Sequence, residues 1–205
     1  MARERSAKPR DRNEVEFARI VAFSDGVFAI AITLLVLNLS VPEQIPGDDL
    51  TSALWDQRHD LLAYALSFAV IGRFWVVHHR VFGDLTGFDG RLMGLNLFYL
   101  AWIVLIPFSS QVLGDHAGDT GAVVLYATNL AAVTLIGDLM FADARRAGLL
   151  ASDPESYEEG RRRALLTVAI FVASIPIAFL NAHAAPYIWL GLFLAPLRQR
   201  ARLKR

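Results

Sequence analysis

The sequence predicts an all-α integral membrane protein with six transmembrane helices, on three observations. Apolar residues make up 55% of the 205, and the mean hydropathy is +0.40. The charged residues, 20% of the chain, cluster and leave long stretches bare, as in a chain that meets lipid rather than water. The Lys and Arg residues fall on segments that six crossings would place on one side of a membrane.

A helix needs about 20 mostly apolar residues to cross a hydrocarbon core of about 30 Å. The first such run is Phe17 to Leu39, stopped by Pro42. The second, Asp60 to Phe82, carries Arg73 and the pair His78–His79. The third, Arg91 to Leu113, contains Pro107, and the fourth is Gly121 to Phe141. The fifth follows the triplet Arg161–Arg163, contains Pro176 and ends near Asn181. The sixth is short, Ala185 to Leu197, with Pro196 near its end. Pro107 and Pro176 read as kinks, because neighbouring helices can re-satisfy the carbonyls that a proline frees. A soluble helical bundle fits poorly: from Ala122 to Ile136 no face carries a charge, whereas a surface helix shows a polar stripe.

Charge sets the orientation. Residues 1–16 form a basic tail with Arg3, Arg5, Lys8, Arg10 and Arg12, and residues 198–205 form another with Arg200, Arg202, Lys204 and Arg205. Arg145, Arg146 and Arg161–Arg163 flank the loop after the fourth span; Arg80 and Arg91 flank the one after the second. The other side holds Arg58 against Glu43, Asp48, Asp49, Asp56, Asp115 and Asp119. Both termini are therefore expected in the cytoplasm, with residues 17–197 as the membrane domain. The basic tails read as topology signals drawn to anionic lipid, so no nucleic-acid partner is expected. The segment Ala151–Arg163 is expected to be a short cytoplasmic helix or linker.

Enzyme chemistry finds no purchase. There is no cysteine, which excludes disulfides, thiolate metal sites and thiol nucleophiles. His59, His78, His79, His116 and His183 stand in no HExxH or similar spacing, and the phosphate-loop, dinucleotide and GxSxG patterns are missing. No catalytic residue, cofactor or resident metal is expected.

The first helix remains. At 100° per residue Ile30, Leu34 and Leu37 share one face, with Thr33 beside them. Thr33 can bond back to a carbonyl one turn earlier. Core packing or lipid contact would account for such a stripe as well as a pore would. Asp25 is more telling, because a carboxylate inside a span wants partners. Trp75, His78 and His79 on the second span lie at similar depth and could bond Asp25 or Ser24. Locking two helices together explains that arrangement at least as well as proton handling does.

Arg19-x-x-x-Phe23-Ser24-Asp25 followed by an unbroken apolar helix, with Trp75-x-x-His78-His79 on the second span, resembles the signature of the transmembrane protein 175 family in its bacterial, single-repeat branch. The resemblance extends over about residues 15 to 200 and is densest in the first two helices. It implies a potassium-favouring cation channel without a TVGYG filter, built as a homotetramer in the cell membrane. The first helix of each subunit would line a central pore. Ile30, Leu34 and Leu37 would face that pore, Thr33 would add a polar layer, and permeant potassium would be the only ion bound. Arg19, Phe23, Ser24, Asp25, Trp75 and one of His78 or His79 would form a supporting network. Without a mid-helix acidic ring, selection would fall to pore width, hydroxyl and carbonyl dipoles, and an apolar constriction that gates by dewetting. Two alternatives are a proton-coupled secondary transporter using Asp25 and His78, and a non-conducting membrane assembly protein.

Overall fold

The computed structural model describes residues 9–39 and 50–194. Helix α1 runs Pro9–Leu34 and continues as a 3₁₀ turn, Leu35–Asn38. A short α2, Leu50–Asp56, precedes α3, Arg58–Gly83. Helices α4 (Gly90–Val104) and α5 (Ile106–Asp115) form one broken rod. Helix α6 covers Thr120–Arg146, α7 covers Pro154–Leu180 and α8 covers Tyr187–Leu194. The described residues form no β-strand, and their only pairing of that kind is an isolated antiparallel bridge.

Five segments are long and apolar enough to cross a membrane: 13–37, 58–83, 90–115, 120–146 and 154–180. Of the sixth expected span the described residues hold only the eight-residue α8, shorter than a crossing needs, and its expected end at Leu197 lies outside the described residues, as does the 198–205 tail.

Local chemistry explains the helix starts. Asp89, Asp119 and Asp153 each sit in extended backbone and accept from an N–H three residues on: Leu92 at 2.7 Å, Ala122 at 3.1 Å and Ser156 at 2.9 Å. Aspartate caps satisfy donors that an α-helix leaves unpaired, and its charge suits the helix N-terminus. The Asp153–Pro154 pair, cap then N1 proline, starts α7 well before the Arg161–Arg163 triplet. The expected separate cytoplasmic helix is thus the first turns of the fifth span. Helix α1 likewise begins at Pro9, within the stretch read as tail.

The two prolines differ in effect: Pro107 follows a break in the third span at Leu105, whereas Pro176 sits inside an uninterrupted α7. A proline removes one N–H and crowds the carbonyl four residues back, here that of Ile103, just before the break.

The main core unites α1, α3, α4, α5, α6, α7 and α8 around Phe28, Leu35, Ile71, Ile103, Tyr126, Leu130 and Trp189. A smaller cluster closes the basic end. Phe82, Leu85, Leu92, Met140 and Ala144 pack there with Phe17 and Phe88, and Phe17 stacks on both Phe82 and Phe88. At the same end the turn after α3 is tied to the turn after α6. Thr86 N–H donates to the Leu149 carbonyl at 2.9 Å, and Ala151 N–H to that of Asp84 at 2.8 Å. Arg91–Asp143 at 3.0 Å and Arg145 over the Tyr157 ring at 4.6 Å add to it. The opposite end is acidic and tight. Gly118 in the α5–α6 turn takes φ +90°, and a side chain there would strike the His183 ring of the α7–α8 turn.

Candidate functional site

Helix α1 has two faces of contrary character. Ser24, Phe28, Ala31 and Leu35, spaced four, three and four residues apart, are buried against α3, α4 and α5. This is the core-facing stripe of a helix in a bundle. The other face carries Arg19, Phe23, Ile30, Thr33, Leu34 and Leu37, all exposed; Ile30 is 59% and Leu37 73% accessible. Seven residues advance a helix by about 10.5 Å and return it to within about 20° of the same direction. Phe23 and Ile30 therefore stand nearly in a column, and Leu37, in the 3₁₀ turn that continues the helix, is exposed beyond them. The Thr33 hydroxyl donates to the Ile30 carbonyl at 2.9 Å, which turns its hydrogen to the helix and leaves oxygen lone pairs outward.

Behind that column lies a polar cluster. The Trp75 Nε1–H donates to Asp25 Oδ1 at 2.8 Å. A second, buried chain runs beside it: His78 Nε2–H to Asn96 Oδ1 at 2.9 Å, Asn96 Nδ2 to Ser24 Oγ at 3.0 Å, and Ser24 O–H to the Ile20 carbonyl at 2.9 Å. Each group in the chain donates to the next, which offsets the cost of burying these groups in an apolar surround. The His78 ring is also held by three aromatic neighbours, Phe82 at 4.1 Å, Phe28 at 5.4 Å and Tyr99 at 5.6 Å. His79 points elsewhere and stacks on Trp75 at 5.5 Å.

Of the residues the sequence singled out, the structure thus brings together Ser24, Asp25, Trp75 and His78. His79 joins only through its ring. Arg19 and Phe23 stand on the exposed face and take no part in the cluster's hydrogen bonds. Asn96 was missed, although it is the member that links His78 to Ser24. Its signal was present as a lone polar residue in the apolar run LMGLNLFYL, since a buried amide needs partners. A second buried set was missed in the same way. Ser67 bonds Ser110 at 2.7 Å and Tyr126 at 2.9 Å, and Asn129 donates to Ser109 at 2.9 Å, tying α3, α5 and α6. Among the described residues no three His, Asp or Glu side chains gather as a metal site.

The arrangement offers an exposed apolar column braced from behind by a satisfied polar cluster. It lacks a nucleophile–base pair.

Comparison with known proteins matches the same region. A family model described as the endosomal/lysosomal potassium channel TMEM175 fits residues 19–107, which contain α1, the Asp25–Trp75 pair and the His78–Asn96–Ser24 chain. A Streptomyces collinus protein named as a potassium channel is 34% identical over 199 residues, covering 90% of this chain and 96% of the relative. A zebrafish protein named as the endosomal/lysosomal proton channel TMEM175 is 41% identical over 113 residues, 51% of this chain and 21% of its own. Among solved structures, the crystal structure of a lysosomal potassium-selective channel TMEM175 homolog from Chamaesiphon minutus superposes with a TM-score of 0.78 at 28% identity. It covers 88% of this chain and 95% of that one.

Proposed function

The chain belongs to the TMEM175 family, and on that premise we infer that it is the subunit of a potassium-conducting channel of the cell membrane. Four copies gather with their first helices around an axis, and the exposed column of α1 faces that axis. Closed rotational symmetry presents one helix face inward from every copy, so a single subunit needs no pore of its own. The basic end, with α1's start and both tied turns, faces the cytoplasm.

The observation that carries this reading is the exposure of Ile30, Leu34 and Leu37 on a helix whose other face is sealed by Ser24, Phe28, Ala31 and Leu35. The family match makes the axis, rather than lipid, the better partner for that column. Four Ile30 side chains brought together form a dry constriction that stops ions when narrow. Thr33, its oxygen turned outward, supplies a ring of acceptors for an ion that has shed water. The Asp25–Trp75 bond and the His78–Asn96–Ser24 chain hold α1 at the angle that keeps the column aligned.

The test is potassium flux into liposomes carrying purified protein, with the mass of the oligomer measured alongside. Ile30→Asn, which wets the constriction, is expected to raise flux and weaken potassium-over-sodium preference. Unchanged flux in a well-assembled tetramer would remove Ile30 from the pore, and a monomeric mass would remove the axis. Proton uptake followed in the same vesicles separates a channel from a saturable proton-coupled carrier.

A further inference from the structure

Arg73 is a charge inside a membrane span that the pore reading does not use. It lies on α3, ten residues before Gly83, hence about 15 Å from the basic end of that helix. Among the described residues it forms no ion pair and no side-chain hydrogen bond, although it is half-buried. The charges that bear on it most, Arg163 and Arg80, are also cations, and Arg163 is already paired with Glu159. A charge in hydrocarbon without a counter-charge is costly, and where one persists a partner is expected.

The surroundings narrow the partner. Arg73 lines a crevice between α3, α6, α7 and α8 whose other walls include Leu66, Val70, Phe74, Leu130 and Phe171. Trp189, also in its wall, is 1% exposed, and its indole N–H finds no acceptor. The crevice thus combines a cation without an anion, a donor without an acceptor, and an apolar lining. Its enclosed space is only ≈ 30 Å³, room for one oxygen-sized group and not for a whole headgroup. An occupant must present an anionic oxygen on an apolar body that runs along the helices.

We propose that an acidic phospholipid of the leaflet at the basic end binds at the mouth of this crevice, one phosphate oxygen reaching in to Arg73 and an acyl chain along α3 and α7. An arginine stem reaches several ångströms toward the headgroup layer, and its guanidinium matches phosphate geometry. The excess of arginines around the site selects an acidic lipid over a zwitterionic one. The choice of leaflet rests on the orientation given above; the binding itself does not depend on conduction.

The experiment is native mass spectrometry of the assembled protein released from nanodiscs of phosphatidylglycerol mixed with phosphatidylcholine. Wild type is expected to retain phosphatidylglycerol in preference, up to one per subunit, and Arg73→Gln to retain it about tenfold less. Leu130→Trp, which fills the crevice and keeps the charge, is expected to lower retention too. Equal retention by wild type and Arg73→Gln, or no preference between the lipids, would overturn the proposal. So would a loss of oligomer in Arg73→Gln that an acidic-to-neutral change in a neighbouring subunit restores, because Arg73 would then pair with protein. If Arg73→Gln does not fold, Leu130→Trp and the two-lipid competition on wild type still decide. Lipid retention is read without flux, so an absence of potassium current would count against the channel and not against this site.

Discussion

The two faces of α1 have almost the same hydropathy and opposite surroundings. Phe28, Ala31 and Leu35 are within 1% of complete burial, while Ile30 and Leu37, one or two residues away, are more than half exposed. The buried face meets α3, α4 and α5 and holds the subunit together. The exposed face makes nothing inside the subunit, so what acts on it must come from outside. Apolar character alone therefore does not tell a structural residue from a working one in a membrane helix. The distinction lies in which neighbour each side chain meets, and substitution should pull the two faces apart.

The largest effect is expected on the buried face. Phe28→Ala removes an aromatic side chain packed on His78 and Tyr99 and should cost ~3–5 kcal/mol, read as a lower melting temperature in detergent. A variant as stable as wild type would show that the core can close over the gap. Next comes the bracing cluster. Asn96→Leu strands Ser24 and His78 in the interior and is expected to cost ~1–3 kcal/mol in the same melt. No loss would mean that water or a rearranged side chain serves the two orphans.

Trp75→Phe keeps an aromatic ring, though a smaller one, and deletes the bond to Asp25. Side-chain hydrogen bonds within membranes average ~0.6 kcal/mol, so the melt should move little. If α1 is positioned by that bond, selectivity should move more than stability. Smallest in stability is Ile30→Ala on the exposed face, expected within about 0.5 kcal/mol of wild type and yet altering potassium flux in liposomes. A large loss of stability with unaltered flux would reverse the assignment of the two faces.

Much of this was legible in the sequence. Five spans followed from apolar runs of membrane length, and the basic residues of the turns after α3 and α6 gather at one end of the bundle. The element edges were less legible because they depend on capping. Asp153 with Pro154 starts α7 among charged residues that hydropathy counts as loop. Pro107 falls inside the third span as expected, two residues after the break at Leu105 that separates α4 from α5. At the site, Asp25 and Trp75 could be paired from depth along two helices. Choosing between His78 and His79 could not be done from spacing, because adjacent residues differ by about 100° around the helix and the crossing of α1 with α3 decides which is inside. Asn96 belongs to a third helix, and no periodicity links it to the other two.

The tie between the turns after α3 and α6, with Phe17 wedged between Phe82 and Phe88, fastens the foot of α1 to the floor of its own subunit. A helix anchored in this way is poorly placed to swing by itself. In the proposed four-subunit assembly, movement at the axis would then come from whole subunits leaning against one another, like staves in a cask, and whatever presses on the outer helices would be felt at the centre.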